Sequence, residues 1–168
     1  REYKSFSPDR KGRAGLWNPD AFSVIPNTER AMDPSASPDG ETIAYFEYTD
    51  GTLNLVTIKL DGSDKKHLTQ FSDGTWLQQA DWSPDGSQIV FSMFRHFHND
   101  LWIVNADGSD LRPLTWDGWE EFDAHWGNDG RIYFNKEYDK FIPIYYDGSP
   151  KLGSKNDLID RCNEVDPI

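Results

Sequence analysis

A four-residue turn motif recurs along this chain at a nearly constant interval. The Ser-Pro-Asp-Gly sequence of Ser37–Gly40 is repeated 46 residues later at Ser83–Gly86, and a weaker third copy, Gly127–Gly130, follows 44 residues after that. A tandem period of about 40–50 residues is typical of propeller blades and similar arrays. The repeat therefore decides the fold class, although it leaves the activity of the protein open.

A second turn motif keeps the same phase. Asp61–Asp64 recurs as Asp107–Asp110 and, more loosely, as Asp147–Ser149. Proline, aspartate and glycine in these turns favour hairpin corners, and the β-branched and aromatic runs between them predict strands. Each unit therefore reads as four strands joined by three turns, which is one propeller blade. Pro143 in the third unit cannot donate to a ladder and predicts an edge strand or a bulge.

The residues around the corners carry a family resemblance. Pro34–Gly40 and Ala80–Gly86, each followed by a strand and then Asp-Gly-Ser, resemble the WD40-like (PD40) repeats of TolB-type β-propellers. The resemblance covers about residues 32–153 and implies an all-β fold of four-stranded blades. It also implies an exported bacterial protein whose propeller is a binding platform, in some relatives joined to a peptidase or a glycan lyase. A fold with so many activities does not identify one.

The number of repeats predicts an incomplete ring. We divide the chain into an extended N-terminal arm (1–31), three repeats (about 32–76, 77–121 and 122–153) and a C-terminal tail (154–168). Propellers close with about four to eight blades, so three should leave an apolar blade face in water. If that face measures roughly 400 Å², its exposure costs about 10 kcal/mol. The flanks, a second copy or another protein could cover it, and the weak strand signals of the flanks favour a partner protein.

The N-terminal arm combines basic residues with prolines and glycines and shows no helical or strand periodicity. It is therefore expected to be extended, with Trp17, Phe22 and Ile25 as anchors. These anchors could hold a partner or pack on the chain's own last blade. Cys162 has no second cysteine with which to pair, and Arg1 in place of methionine indicates a processed or truncated chain.

Charge is divided unevenly along the chain. The 168 residues carry a net charge of −12, of which residues 1–31 contribute +2 and residues 32–168 contribute −14. Repulsion argues against nucleic acid or an anionic membrane surface as the main partner of the repeats. No apolar run reaches the length of a membrane span. A basic protein is the natural counterpart, although aspartates at the corners of the repeats account for much of the excess.

Polar residues just ahead of each corner are the candidate ligand site. If their strand is the innermost of its blade, as the resemblance implies, it presents one face toward the channel, with Trp82 and Trp126 packing between blades. Carboxylates with one histidine could bind a hard cation or a cationic group, or could simply be solvated. The residues on the channel face are Asp33, Ser35, Gln79, Asp81, Asp123 and His125.

Other chemistry-bearing patterns are weak. His96 and His98 share a strand face at i and i+2, but they lack the three or four ligands that a zinc site needs, so we predict neither metal nor cofactor. The sequence has no Gly-x-Ser-x-Gly elbow, His-Glu-x-x-His or phosphate loop, so we predict no catalytic residues and no enzyme. Trp116 and Trp119, in the connection between the second and third units, could form a protein-binding surface or pack between blades.

The sequence therefore predicts a non-catalytic β-propeller module for protein–protein interaction. Its expected place, the periplasmic or extracellular side of a membrane, is inferred from the resemblance. There it would be an accessory or scaffold subunit of a larger membrane-associated complex. The alternative is the propeller portion of a TolB-like peptidase or glycan lyase whose catalytic part lies elsewhere.

Overall fold

The computed structural model of the chain describes residues 5–6, 15–18, 23–95, 98–117 and 119–137. All regular structure in these residues is β-strand, and none of it is a helix that could cross a membrane. In chain order the strands are β1 (Ser5–Phe6), β2 (Gly15–Asn18), β3 (Ser23–Val24), β4 (Ala31–Ala36), β5 (Thr42–Thr49), β6 (Thr52–Lys59), β7 (Lys66–His67), β8 (Trp76–Trp82), β9 (Gln88–Arg95), β10 (His98–Asn105), β11 (Arg112–Pro113), β12 (Glu120–Trp126) and β13 (Ile132–Glu137).

The strands form successive antiparallel blades. The first blade has the order β4-β5-β6-β7 and the second the order β8-β9-β10-β11, so each strand pairs with its neighbour in sequence. The third sheet pairs β12 with β13. This arrangement confirms the predicted all-β, propeller-type fold, in an open array. Pro143 and the tail 154–168 lie outside the described residues.

The repeated corner is held by its own side chains. In the first copy the Ser37 hydroxyl donates to Asp39 Oδ1 at 2.5 Å and accepts the Thr42 N–H at 3.0 Å. The Gly40 N–H donates to the Ser37 carbonyl at 2.8 Å, and Gly40 has a φ of 75°, which a glycine adopts without strain. The second corner repeats this pattern, with Gly86 donating to Ser83 at 2.8 Å. The motif is therefore a self-contained hairpin corner.

Apolar side chains fill the space between the first and second blades. Phe46 and Phe91 meet there edge to face, with ring centroids 6.3 Å apart, and both are fully buried. Trp82 packs in the same cluster and donates its indole N–H to the Ser35 carbonyl at 3.1 Å. Trp126 packs in the smaller cluster between the second and third blades. The predicted position of both tryptophans between blades is confirmed.

Three short strands occur in the segment that we expected to lack strand structure. β1, β2 and β3 form an antiparallel sheet, and β1 and β2 lie against β4. Ile25, directly after β3, is buried with Ile43, Tyr45 and Val56 on the side of the first blade that faces away from the second. Ile25 therefore packs on the first blade of the chain itself, whereas the sequence led us to expect a partner or the last blade to hold it. Strands of two to four residues are too short to show a periodicity in the sequence.

The last described strand differs from its counterparts in the first two blades. Register aligns Tyr133 with the buried Ala44 and Val90, and Phe134 with the buried Tyr45 and Phe91. Tyr133 is 55% exposed and Phe134 is 41% exposed. The third sheet therefore presents aromatic surface where the first two blades present core.

Candidate functional site

Each inner strand carries a β-bulge at the same repeat offset. The register of β4, β8 and β12 against the following strand shifts at this point. The residue inside each shift has a left-handed backbone conformation: Asp33 (φ 47°), Gln79 (φ 55°) and Asp123 (φ 57°). Bulges re-aim side chains, and non-glycine residues in this region cost free energy, so their recurrence marks a shared structural role.

The bulged residues of the second and third blades bind each other. The Asp123 N–H donates to Gln79 Oε1 at 2.8 Å, and Gln79 Nε2 donates back to Asp123 Oδ1. The second oxygen of Asp123 accepts the side-chain amide of Asn135 at 2.8 Å. The amide of Gln79 therefore satisfies a backbone donor that the bulge removes from the strand ladder.

Asp81 joins the same two inner strands at the next position. Its Oδ2 accepts the Trp126 N–H at 2.8 Å and lies 3.5 Å from His125 Nδ1. The His125 side chain is otherwise largely exposed to solvent. Because Asp81 and Asp123 both accept hydrogen bonds between blades, two of the predicted ligand residues have structural partners.

Asp33 and Ser35 lie on the neighbouring inner strand β4, beside β8. The predicted channel residues are therefore brought to one row of adjacent strands, as the repeat phase requires. Among the described residues, no group of three or more histidine, cysteine, aspartate or glutamate side chains has the geometry of a metal site. His98 Nδ1 lies 3.5 Å from Glu120 Oε1, while His96 lies outside the described residues. Ligand binding at this row stays a prediction.

Exposed aromatic side chains collect at the rim where β5 ends and β8 begins. The rings of Tyr48 and Trp76 meet edge to face with centroids 6.3 Å apart, and Trp76 lies directly opposite Phe94 across the β8–β9 pair. Trp76 is 41% exposed, and Trp116, on the connector that leads to β12, is 75% exposed. We call Tyr48, Trp76, Phe94 and Trp116 the aromatic rim.

Polar contacts hold the surroundings of the aromatic rim in place. The Arg95 guanidinium lies 5.9 Å from the centroid of the Phe71 ring and donates to Asp73 Oδ2 at 2.8 Å. Lys136 Nζ lies 5.7 Å from the Trp119 ring centroid. Trp119 is partly buried, so of the two predicted tryptophans Trp116 is the more accessible. Trp17 lies in β2, where it pairs with Val24.

A buried ion pair lies behind this rim, between the second and third blades. Glu121 in β12 is fully buried, and its Oε1 lies 2.9 Å from Nζ of its cross-strand neighbour Lys136. Lys136 also donates to Asp117. Burial raises the pKa of Glu121, and the two carboxylates raise the pKa of Lys136. In the second blade the same cross-strand pair is Leu77 and Met93, both buried.

An open cavity of about 330 Å³ lies at the opposite rim, where the first two corners meet. Its charged lining is mixed: Asp64 Oδ2 lies 3.4 Å from Lys66 Nζ and 3.9 Å from Lys59 Nζ. Asp39 and Asp85 line the same cavity. The lining thus holds three carboxylates and two ammonium groups.

Sequence reasoning missed part of the rim and the buried charges behind it. Tyr48 and Phe94 occupy one repeat offset, which an alignment of β5 with β9 would have shown. Glu121 was not singled out from the sequence, although Leu77 at the same repeat offset shows that an apolar residue fits there. The bulges have a weaker signal, because aspartate tolerates left-handed backbone but glutamine seldom adopts it.

Repeated four-stranded blades, self-capped Pro-Asp-Gly corners and inner strands set side by side define this chain as a β-propeller repeat protein. The family model of the TolB β-propeller domain (PD40) matches residues 18–147, which is more than half of the chain. The chain belongs to this family.

Proteins similar to this chain carry names that indicate different functions. The chain is 33% identical over 86 residues to the Tol-Pal system protein TolB of Anaeromyxobacter dehalogenans, covering 51% of this chain and 19% of that protein. It is 30% identical over 111 residues to dipeptidyl-peptidase 5 of Porphyromonas endodontalis, covering 61% of this chain and 16% of the relative. The crystal structure of TolB from Acinetobacter baumannii has the same fold, with a TM-score of 0.62 at 20% identity over 79% of this chain and 34% of that one. The chain thus spans a fifth or less of these two curated relatives.

Proposed function

We propose that this chain is a non-catalytic protein-interaction module and that the aromatic rim is its docking surface. The observation that carries the proposal is the accessibility of Trp116 and Trp76 on one edge of a stable array. Tryptophan and tyrosine are enriched at the energetic centres of protein interfaces because they bury large areas at little entropic cost.

Rigidity of the support favours the same proposal. Tyr48, Trp76 and Phe94 project from strands that contribute buried side chains to the core, so the rim loses little conformational freedom when it binds. Burial of about 800 Å² on each partner is usual for a stable complex, so further surface is needed beyond the rim. The acidic repeats would steer a basic protein toward it and raise the association rate.

The location we propose is the periplasmic or extracellular side of a membrane, where the module would be an accessory or scaffold subunit of a membrane-associated complex. The supporting observation is the family itself, since one relative is a Tol-Pal system protein. Fractionation of the source cells tests this location, and recovery of the protein with cytoplasmic markers would contradict it.

Site-specific cross-linking tests the docking surface. A photo-cross-linking amino acid in place of Trp116 or Trp76 should capture one protein partner in the source cells. The matched control is the same amino acid in place of Ser87, which is exposed at the opposite rim. Equal adducts at all three positions, or none at the rim, would refute the proposal. Trp116 is largely exposed, so Trp116→Ala should change the free energy of unfolding by less than about 0.5 kcal/mol. Replacement of Trp116 should therefore leave the protein folded, and a missing cross-link would not be caused by unfolding.

A second candidate is the propeller portion of a larger peptidase or lyase. The match to a dipeptidyl-peptidase, of which this chain covers 16%, favours it. The native polypeptide would then be several times longer than 168 residues and would cleave dipeptide reporter substrates. If the native polypeptide does not cleave these reporter substrates, the result favours the interaction module over the peptidase.

A further inference from the structure

Asp100 occupies the place in the second blade that Asn54 occupies in the first. Each directly precedes a leucine, Leu55 or Leu101, whose N–H donates to a threonine hydroxyl at 2.9 Å. In both blades this leucine also accepts the N–H of the leucine that precedes the threonine. The two positions are therefore equivalent in the repeat.

Asn54 fastens the connector between the first and second blades with both ends of its amide. Its Nδ2 donates to the Phe71 carbonyl at 3.0 Å, while its Oδ1 accepts the Phe71 N–H at 2.6 Å and the Thr69 hydroxyl at 3.1 Å. A donor and an acceptor on one planar group thus bind both backbone groups of Phe71 in the connector. A carboxylate has no donor, whereas a protonated carboxyl group has one donor and one acceptor.

Asp100 faces the equivalent connector without making these bonds. Its Oδ1 atom is buried and has no hydrogen-bond partner among the described residues. Met93, its cross-strand neighbour in β9, is uncharged. A buried oxygen without a partner costs free energy, and protonation would give it a hydrogen to donate.

The charges around Asp100 act against its carboxylate form. From β12 it faces Glu121 and Glu120, from the connector Asp117, and from its own strand His98, which alone of these four favours the charged form. Lys136 of β13 is occupied by Glu121 and Asp117. Burial first and then Glu121 raise the pKa of Asp100 to about 7.

We propose that Asp100 is a pH-sensitive latch between the second and third blades. In its neutral form the carboxyl group holds residues 115–117 of the connector, as Asn54 holds residues 69–71. In its carboxylate form the connector loses this bond and meets added negative charge from Asp100. The latch is independent of the proposed docking function, although Trp116 of the aromatic rim lies on the connector and would report its state.

The direction of the pH effect follows from the two states of Asp100. The unfolded chain releases this proton near the ordinary value of 3.8, while the folded chain keeps it to about pH 7. Between these values the native state binds more protons, so stability falls as pH rises, by up to tenfold in the folding equilibrium constant per pH unit. The raised pKa of Glu121 acts in the same direction and needs its own control.

Reciprocal exchange of the two equivalent residues tests the latch. Urea unfolding of the whole chain is measured from pH 4 to pH 8, with the ¹⁹F signal of 5-fluorotryptophan at position 116 as the local readout. Asp100→Asn should flatten the fall in stability and abolish a signal change centred near pH 7. Asn54→Asp should introduce a new fall in stability, because the same chemistry then operates in the first blade.

Two results would overturn the proposal. One is an Asp100→Asn variant that keeps the pH midpoint of the ¹⁹F signal. The other is a midpoint that disappears in Glu121→Gln but survives in Asp100→Asn, which would assign the titration to the ion pair. If Asp100→Asn fails to fold, a pH-independent Asn54→Asp variant would still refute the reasoning.

Discussion

Replacement of the Glu121–Lys136 pair by the residues of the second blade tests how the third sheet is held. Leu77 and Met93 fill this cross-strand position in the second blade, where both are buried. In the third sheet the position holds a carboxylate that is 0% exposed and an ammonium side chain that is 36% exposed. We therefore expect the double variant Glu121→Leu/Lys136→Met to fold. Each single variant should lower the free energy of unfolding, because it leaves one charged partner without the other.

The magnitudes follow from the asymmetry of burial. Loss of one partner from a buried ion pair costs about 3–5 kcal/mol, whereas exchange of the whole pair for well-packed apolar residues is often neutral or stabilising by about 1–4 kcal/mol. Lys136→Met should cost about 3 kcal/mol, the lower limit, because this lysine is partly solvated. The double variant should be within about 1 kcal/mol of the wild type, because Asp117 also loses its bond to Lys136.

Urea unfolding at pH 7, followed by tryptophan fluorescence, measures these differences. The matched control is Arg131→Met, because Arg131 and Asp129 form an ion pair at the surface, 3.5 Å apart, and exposed pairs contribute at most about 1 kcal/mol. A double variant as unstable as Lys136→Met would show that the third sheet cannot accept the packing of the second. The comparison of equivalent positions between blades, on which the arguments about Glu121 and Asp100 depend, would then be wrong.

Three further predictions concern the core, the bulges and the corners. Phe91→Ala should lower the free energy of unfolding by about 3–5 kcal/mol in urea titrations, because it empties the fully buried centre between the first two blades, and a loss under 1 kcal/mol would contradict that placement. Asp33→Val should cost about 1–3 kcal/mol while Asp33→Gly costs nothing or stabilises, because φ is 47° there, and equal effects would disprove the strain. Ser83→Ala should raise the pKa of Asp85 from about 2 toward its ordinary value in an NMR titration, since the Ser83 hydroxyl at 2.7 Å is the main cause of the depression, and an unchanged value would assign it to Ser87.

The sequence was most informative where structure depends on nearby residues. The corners at Ser37–Gly40 and Ser83–Gly86 are shaped by donors and acceptors at most five residues apart, so the local sequence predicts each turn without the rest of the fold. Their period then sets the strand order, and the aromatic residues ahead of them, Trp82 and Trp126, fall between blades. These features by themselves carry the resemblance to the family.

The sequence did not predict the short N-terminal strands. The strands in residues 1–31 contain two to four residues each, fewer than a hydrophobic period requires. Contact with β4 and burial of Ile25 stabilise this segment, and both come from residues distant in sequence. On this face of the first blade the chain itself therefore supplies the covering residue Ile25.

By itself, then, the sequence determined the repeating unit, its corners and its strand order, since these depend on hydrogen bonds within a few residues. Only the tertiary structure decided which partner each of the buried or partly buried acidic side chains has. Asp81 accepts a backbone N–H across blades, Asp123 bonds Gln79 across blades, and Glu121 is paired in the core. Asp100 has a buried oxygen with no partner in the part of the chain that the structure describes. Burial and the bonded partner distinguish these four side chains, and both are set by residues on other strands, 15 positions away for Glu121 and Lys136 and 45 positions away for Asp81 and Trp126.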